Sequence, residues 1–522
     1  MEEKEEHRKV FILTGEIPVP DIPEDPLVEE VIREIIDAAS PEPEIDENMP
    51  LDPNATHLLT DDALLWIFRF FDKVELTTCS LVCKRWNKIS KDRTLWKTVN
   101  FAPLNTNISD KDFQALAMTK MKCTQKVYLG SLQVSFKMLK SFIVHCRLLN
   151  TLVFGRGSVI EEVPEAGRSK VVFPKTLKTL DLRNAMGNFH FLNGLRKHFS
   201  YVVNFGVASH SFSDKQLKLF FTRLPALERA DFTNCEQMDD RGVATLANNC
   251  PNLRSLCLIG CRFVYGTSFS TLIEKCTNLR TLLVRYLKIE DDVFTETYWN
   301  RSSLQELDIS ACPRLTWQGL KGLLVQLRWL EYLNMSYCGE GNAVNDKVLE
   351  KMSTLGSNML RMLDIRWSFH ISPTALANFL SNCNRLEYLG IYQSFHVFSE
   401  HLAEMIPKLP NLKTLEFGAC FPQELSLSKV IPQLIINTTD LETLSIINFQ
   451  ASDQRLASKY LKALVKRCKK IRRINFCDCS QDLIRIGRQV VEKQRRRIEV
   501  TIKWECALPP PQDTLDAITS VR

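Results

Sequence analysis

The chain has 522 residues, 45% of them hydrophobic and 25% charged, which is too long for one ordinary compact domain and normal in composition for a globular protein. Its net charge of +6 hides an asymmetry: residues 1–57 carry 17 acidic against 4 basic side chains, so the rest carries about +19. The charged N-terminus has no apolar stretch of the secretory type and no apolar run approaches a membrane span, so the 17 cysteines are expected to be free thiols in the cytoplasm and/or nucleus.

Residues 1–56 read as an acidic, proline-rich, disordered arm, with "IPVPDIPEDP" and "SPEPEIDENMPLDP" on either side of a helical pattern in "LVEEVIREIIDAA". Thr60 followed by Asp61 and Asp62 then starts a helix: a hydroxyl cap with carboxylates in the first turn. Of the nine residues 63–71 only Arg69 is not apolar. Leu64, Ile67, Phe68 and Phe71 form one stripe and Ala63, Trp66 and Phe70 another, and a helix apolar all round must be covered all round. A second helix, "VELTTCSLVCKRW", offers Leu76, Cys79, Val82 and Cys83 for one side and ends at Trp86. The other side needs the rest of the chain or another protein, which points to a docking module. Lys84, Arg85, Lys88, Lys91 and Arg93, between Trp86 and Trp96, read as a solvated helix face, and the two tryptophans as packing residues.

These residues resemble the F-box family. Leu59, Asp62, Leu64, Leu65, Ile67, Phe68, Leu81, Val82, Cys83, Lys84, Trp86, Leu95 and Trp96 match its pattern in order over residues 57–101, with Thr60 where the family has proline and Ala63 where it has leucine. The resemblance implies a small three-helix domain that holds an adaptor protein. It carries over Leu59, Thr60, Leu64, Ile67, Phe68, Val82, Cys83 and Trp86 as adaptor-binding positions.

Over residues 102–505 one pattern recurs: aliphatic, two residues, aliphatic, one residue, aliphatic. It is clear in "LERADFTNC", "LRSLCLIGC" and "LQELDISAC", and fourteen copies begin at 124, 149, 177, 202, 227, 253, 279, 304, 330, 360, 386, 412, 441 and 471. A step of 25–30 residues with this strand motif is a leucine-rich repeat. The fold class is therefore α/β: a solenoid of about 14 units with parallel strands on the concave face and helices on the convex face. "DDRGVATLANNCPNL" shows the helical half, with Val243, Leu246 and Cys250 at helical spacing, and "IEVTIKW" is expected to close the sheet. Residues 506–522 read as a flexible tail.

The repeats account for most of the cysteines. Cys235, Cys261, Cys312, Cys338, Cys420 and Cys479 share one register, and Cys146, Cys250, Cys276, Cys383 and Cys468 another. Residues that recur in register are core residues, and cysteine serves there as a small hydrophobe. No CxxC pair occurs, so no metal is expected.

Side chains two, four and six residues after the first aliphatic point to the concave face. Tyrosine, tryptophan and arginine concentrate there and, as Tyr286, Tyr337 and Trp367, just past the strand ends between 281 and 392, and these types anchor protein interfaces. Arg285, Tyr286, Tyr332, Tyr337, Arg366, Trp367, Tyr388 and Tyr392 are the expected substrate-binding residues, with Arg285 and Arg366 also of the type that pairs with phosphate. The step and the strand-end cysteine resemble the repeats of F-box proteins. That resemblance implies a non-catalytic substrate-recognition subunit of an SCF-type (cullin–RING) E3 ubiquitin ligase, whose adaptor links it to cullin and RING subunits and whose repeats hold a protein target for degradation. No phosphate loop, HExxH or GxSxG occurs, and no cofactor is expected. Two alternatives stand beside this reading: a repeat scaffold binding an anionic partner (RNA or phospholipid) through its basic surface, or an adaptor-bound F-box protein acting outside a ligase. Among partners, a membrane is not expected and nucleic acid is the weaker possibility.

Overall fold

Three helices open the described chain: α1 Asp61–Phe68, α2 Lys73–Val82 and α3 Lys84–Ser90. Thr60 caps α1, its hydroxyl accepting from the Ala63 N–H at 3.2 Å, as its position predicts. Asp72 and Glu75 form a capping box on α2. The sequence reads α2 and α3 as one helix ending at Trp86. The backbone instead extends at Cys83 (φ −158°, ψ 168°), and the Cys83 sulfur accepts from the Trp86 N–H, so Trp86 lies in the first turn of α3.

This computed structural model describes residues 59–102, 108–160, 173–187, 199–208, 214–355, 359–392, 399–424, 427–450, 453–494, 498–502, 511 and 514–519. The acidic arm lies outside them. Among the described residues, a single parallel sheet of sixteen strands runs the length of the molecule, each strand pairing with its sequence neighbours in the series. Every one of the fourteen repeat starts is followed two residues later by a strand, from Lys126–Tyr128 to Arg473–Cys477. Glu499–Thr501 closes the far end, as "IEVTIKW" predicts. The extra strand is at the near end: Thr98–Asn100 pairs with Lys126–Tyr128, so the segment read as the docking module supplies the first strand of the sheet. A second, three-stranded sheet of Gln133–Val134, Val159–Ile160 and Met186–Gly187 was not legible in the repeat pattern.

Helices lie on the other side of the sheet. Asp240–Asn249 is representative: the Asp239 carboxylate accepts from the Gly242 N–H at 2.6 Å, and Val243, Leu246 and Ala247 are buried. The cysteines explain themselves geometrically. The thiols of Cys261, Cys312, Cys338 and Cys479 reach the carbonyls of Phe232, Val284, Ile309 and Ile446, at 3.1–3.3 Å. Each of these carbonyls belongs to the third aliphatic of the preceding repeat. Burial pushes the Cys312 thiol up to about 12 and that of Cys479 to about 11, which removes the reactive thiolate.

The tail 506–522, expected to be flexible, departs from that reading at residues 514–519. Leu515–Thr519 is a helix with Leu515 buried, lying against strands Asn204–Gly206 and Arg229–Asp231. The leucine lies over Gly206, beside the Arg183 side chain.

Candidate functional site

The three-helix module has a small core of Leu64, Phe68, Leu76, Cys79, Ile89, Leu95 and Trp96. Phe68 packs edge-on against Trp86, with ring centroids 5.2 Å apart. Trp96, 1% exposed, fastens the module to the solenoid. Its indole N–H donates to the Ser90 carbonyl, its own carbonyl accepts from the Thr124 hydroxyl, both at 2.8 Å, and the ammonium groups of Lys73 and Lys120 lie over its ring. Elsewhere on the module Trp66, Phe70, Val74, Leu81 and Val82 are bare, at 59%, 71%, 48%, 82% and 62% exposure. Five large apolar side chains open to solvent on so small a unit have the character of a protein-binding surface.

The concave face is organised by register. Asp181, Gly206, Asp231, Cys257, Leu283, Asp308, Asn334, Asp364, Gly390 and Glu416 follow one another across the ladder. Asp231, Asp308 and Asp364 each accept from the backbone N–H two residues on, closing the turn after the strand. Arginines answer them. Arg366 donates to Asp364 and, across Gly390, to Glu416 at 3.0 Å. Arg183 repeats the device, donating to Asp181 at 2.8 Å and, across Gly206, to Asp231 at 2.6 Å. Burial opposes the charge on Arg366, but Asp364 with Tyr388 and Glu416 outweighs it and holds the pKa above its ordinary value. Arg285 donates to Asp308 at 2.5 Å.

Just past the strands, the residue seven after the first aliphatic takes a left-handed conformation: Asn234, Gly260, Tyr286, Ala311, Tyr337, Trp367, Asn448 and Asp478. Its N–H donates to the next repeat, as from Tyr286 to the Ser310 carbonyl (3.1 Å), Tyr337 to Arg366 (3.0 Å) and Trp367 to Tyr392 (2.7 Å). The ladder thus imposes a positive φ at a position suited to glycine or asparagine. Three larger side chains at this position are aromatic: Tyr286 (φ 64°), Tyr337 (φ 54°) and Trp367 (φ 58°). Tyr286 and Tyr337 are exposed and Trp367 half-buried. Trp367 meets Tyr337 and Tyr392 edge-on, at 6.0 and 5.6 Å.

Residues 61–102 match the family model described as F-box-like. This segment is an F-box-like domain. Elsewhere the likenesses are distant. Lysine-specific demethylase 2B of Mus musculus is 23% identical over 222 residues, which are 38% of this chain and 16% of that protein, so the chain spans only a small part of that relative's length. The crystal structure of the yeast Rad7 and Elc1 complex contains a chain matched over 87% of this one and 98% of its own length, at 14% identity and a TM-score of 0.46. The TLR13–ssRNA13 complex matches over 78% of this chain and 53% of its own, at 14% identity and a TM-score of 0.45. The solenoid fold rests on the sheet and its register.

Within the F-box-like domain the expected adaptor-binding residues divide. Thr60, Val82 and Cys83 are exposed and Leu59, Ile67 and Trp86 half-buried, whereas Leu64 and Phe68 are core residues at 2% and 1% exposure and offer no surface. The other stripe of α1 faces out, bringing Trp66 and Phe70 within 4.9 Å of each other. Leu81, the most exposed of the apolar residues, belonged to the family pattern but not to the expected contact set.

On the concave face Tyr332, Tyr388 and Tyr392 are buried at 3%, 1% and 2%, so they floor the face and do not project from it. Strands about 4.8 Å apart bring large side chains at equivalent positions over one another; Tyr332 and Tyr388 pack there with Met362 between them. Arg285 and Arg366 are already paired with carboxylates, which argues against a phosphate at either one. Of the expected set, Tyr286, Tyr337 and Trp367 remain accessible.

Proposed function

We propose that this chain is the substrate-recognition subunit of an SCF-type, cullin–RING E3 ubiquitin ligase. The F-box-like domain docks the adaptor through Trp66, Phe70, Leu81 and Val82, with Thr60 and Cys83 at its edge. The adaptor joins the chain to cullin and RING subunits, and the aromatic rim of Tyr286, Tyr337 and Trp367 holds the protein target. The chain makes and breaks no bond. It raises the effective concentration of target lysines near the charged ubiquitin carrier.

The observation that carries this reading is the set of bare apolar side chains on a domain that Trp96 and Thr98–Asn100 fasten to the sheet. A fixed connection sets the distance between two bound proteins, which a ligase requires and a simple binder does not. Affinity capture of the full chain tests it. Recovery of the adaptor together with cullin, lost on Phe70→Ser with Leu81→Ser, is the expected result. Adaptor without cullin points to a role outside a ligase, and recovery of neither overturns the proposal.

A further inference from the structure

The C-terminal helix Leu515–Thr519 is held at one place on the concave face by contacts of three kinds. Leu515 rests on Gly206, where an added Cβ would lie 2.4 Å from the leucine Cδ2. A side chain on residue 206 would close the seat, so a glycine is required there. Arg183 donates to the Asp516 carboxylate at 2.6 Å, and its other terminal nitrogen donates to the Thr519 hydroxyl at 3.3 Å. The leucine thus meets Gly206, and the neighbouring carboxylate and the hydroxyl one turn later share the two terminal nitrogens of Arg183.

The twin device at Arg366 is built differently. Beside Gly390 the space is taken by the chain's own strand, since an added Cβ would lie 3.1 Å from both the Asp364 carboxylate and the Tyr388 hydroxyl. At Gly206 an added Cβ would likewise press on the Arg183 Cγ and Cδ, at 3.0 and 3.1 Å, but the atom it would meet first belongs to a segment more than 300 residues away.

That occupant is weakly tied. A helix of five residues is far too short to stand by itself. Asp516 is 58% exposed, and it shares one nitrogen of Arg183 with the buried carboxylate of Asp231. Asp181 and Asp231 are fixed by their own turns, so Asp516 is the replaceable partner.

We propose that the concave surface over Thr179–Asp181, Asn204–Gly206 and Arg229–Asp231 is a binding site for a helical protein segment that presents a leucine, an acidic residue beside it and a hydroxyl one turn on. The chain's own C-terminal helix is its resident competitor. The site stands apart from the aromatic rim and does not depend on the ligase reading. A partner with a longer, more stable helix displaces the resident in spite of its tethering, which gives an effective concentration on the order of millimolar.

The test uses full-length protein and a fluorescent peptide of residues 511–522, titrated by polarisation to about 1 mM. Leu515→Glu empties the seat without touching the sheet. It is expected to bind the peptide at least about tenfold more tightly than the unaltered chain, and a peptide with serine in place of the leucine is expected not to bind. Adding Gly206→Val, whose side chain fills the seat, removes the binding; Arg183→Glu gives the same loss where the thermal midpoint shows that the variant is folded. Equal binding by the unaltered and Leu515→Glu chains, no binding by either, or binding that survives Gly206→Val overturns the proposal. Adaptor capture is unchanged in every arm, so failure here is distinct from failure of the ligase reading.

Discussion

The F-box-like domain and the solenoid are written in similarly apolar sequence and dispose of it in opposite ways. In the solenoid each repeat covers the next, and the aliphatics of the strand motif are almost all buried. In the F-box-like domain α1 is apolar on both sides but only Leu64 and Phe68 enter the core, while Trp66 and Phe70 stay in solvent. Stacking lets a repeat protein hide everything it has. A short three-helix unit has too little interior to do so, and what it leaves out is available to a partner.

The strongest way to break this contrast is to place a charge on the buried stripe. Phe68→Arg puts a guanidinium into a site 1% exposed, beside Trp86. The expected cost is about 4 kcal/mol or more, unfolding the domain and abolishing adaptor capture. Thermal unfolding monitored by Trp fluorescence reads the loss, and an unchanged midpoint contradicts the burial. The same experiment on the bare stripe gives the opposite pattern. Phe70→Ser with Leu81→Ser should weaken the adaptor complex by about 2–4 kcal/mol in calorimetry, while each shifts stability by only about 0.5 kcal/mol.

The rim residues sharpen the comparison from the solenoid side. Tyr286 is 60% exposed in a left-handed conformation that Asn234 and Asn448 occupy at the equivalent position of other repeats. Tyr286→Asn should therefore stabilise the fold by about 0.5–1 kcal/mol in denaturant titration and at the same time weaken target binding. A loss of stability would mean that the tyrosine is there for packing. The mildest probe is a thiol reagent at pH 8. Among the described cysteines, Cys83 is exposed and should react at once. Cys146, Cys250, Cys276 and Cys312, whose thiols burial pushes up to about 12, stay protonated well above that pH and should react only on unfolding.

Much of the fold was legible because a strand two residues after each repeat start is a local rule repeated fourteen times. The first strand escaped it because Trp96 stands in the aliphatic slot and the F-box resemblance had already claimed that segment. The tail escaped it for a different reason. "TLDAITS" carries one leucine and no repeat, and nothing local says that a glycine 309 residues earlier in the chain leaves room for it. The candidate site was half legible. The repeat placed these side chains along the ladder but said nothing of their exposure: Tyr286 and Tyr332 stand two repeats apart, and one projects while the other lies under its neighbours.

By itself the sequence determined the periodic part of this protein: repeat length, strand register, thiol positions and the two apolar stripes of α1. Periodicity is enough there because each unit meets a copy of itself, so its surroundings are already written in the pattern. Tertiary structure alone decided which stripe faces out, which tyrosines remain accessible, which arginines are taken up by carboxylates and where the C-terminal leucine comes to rest. Each of those depends on what a distant part of the chain places alongside, and burial is a property of the neighbours as much as of the residue.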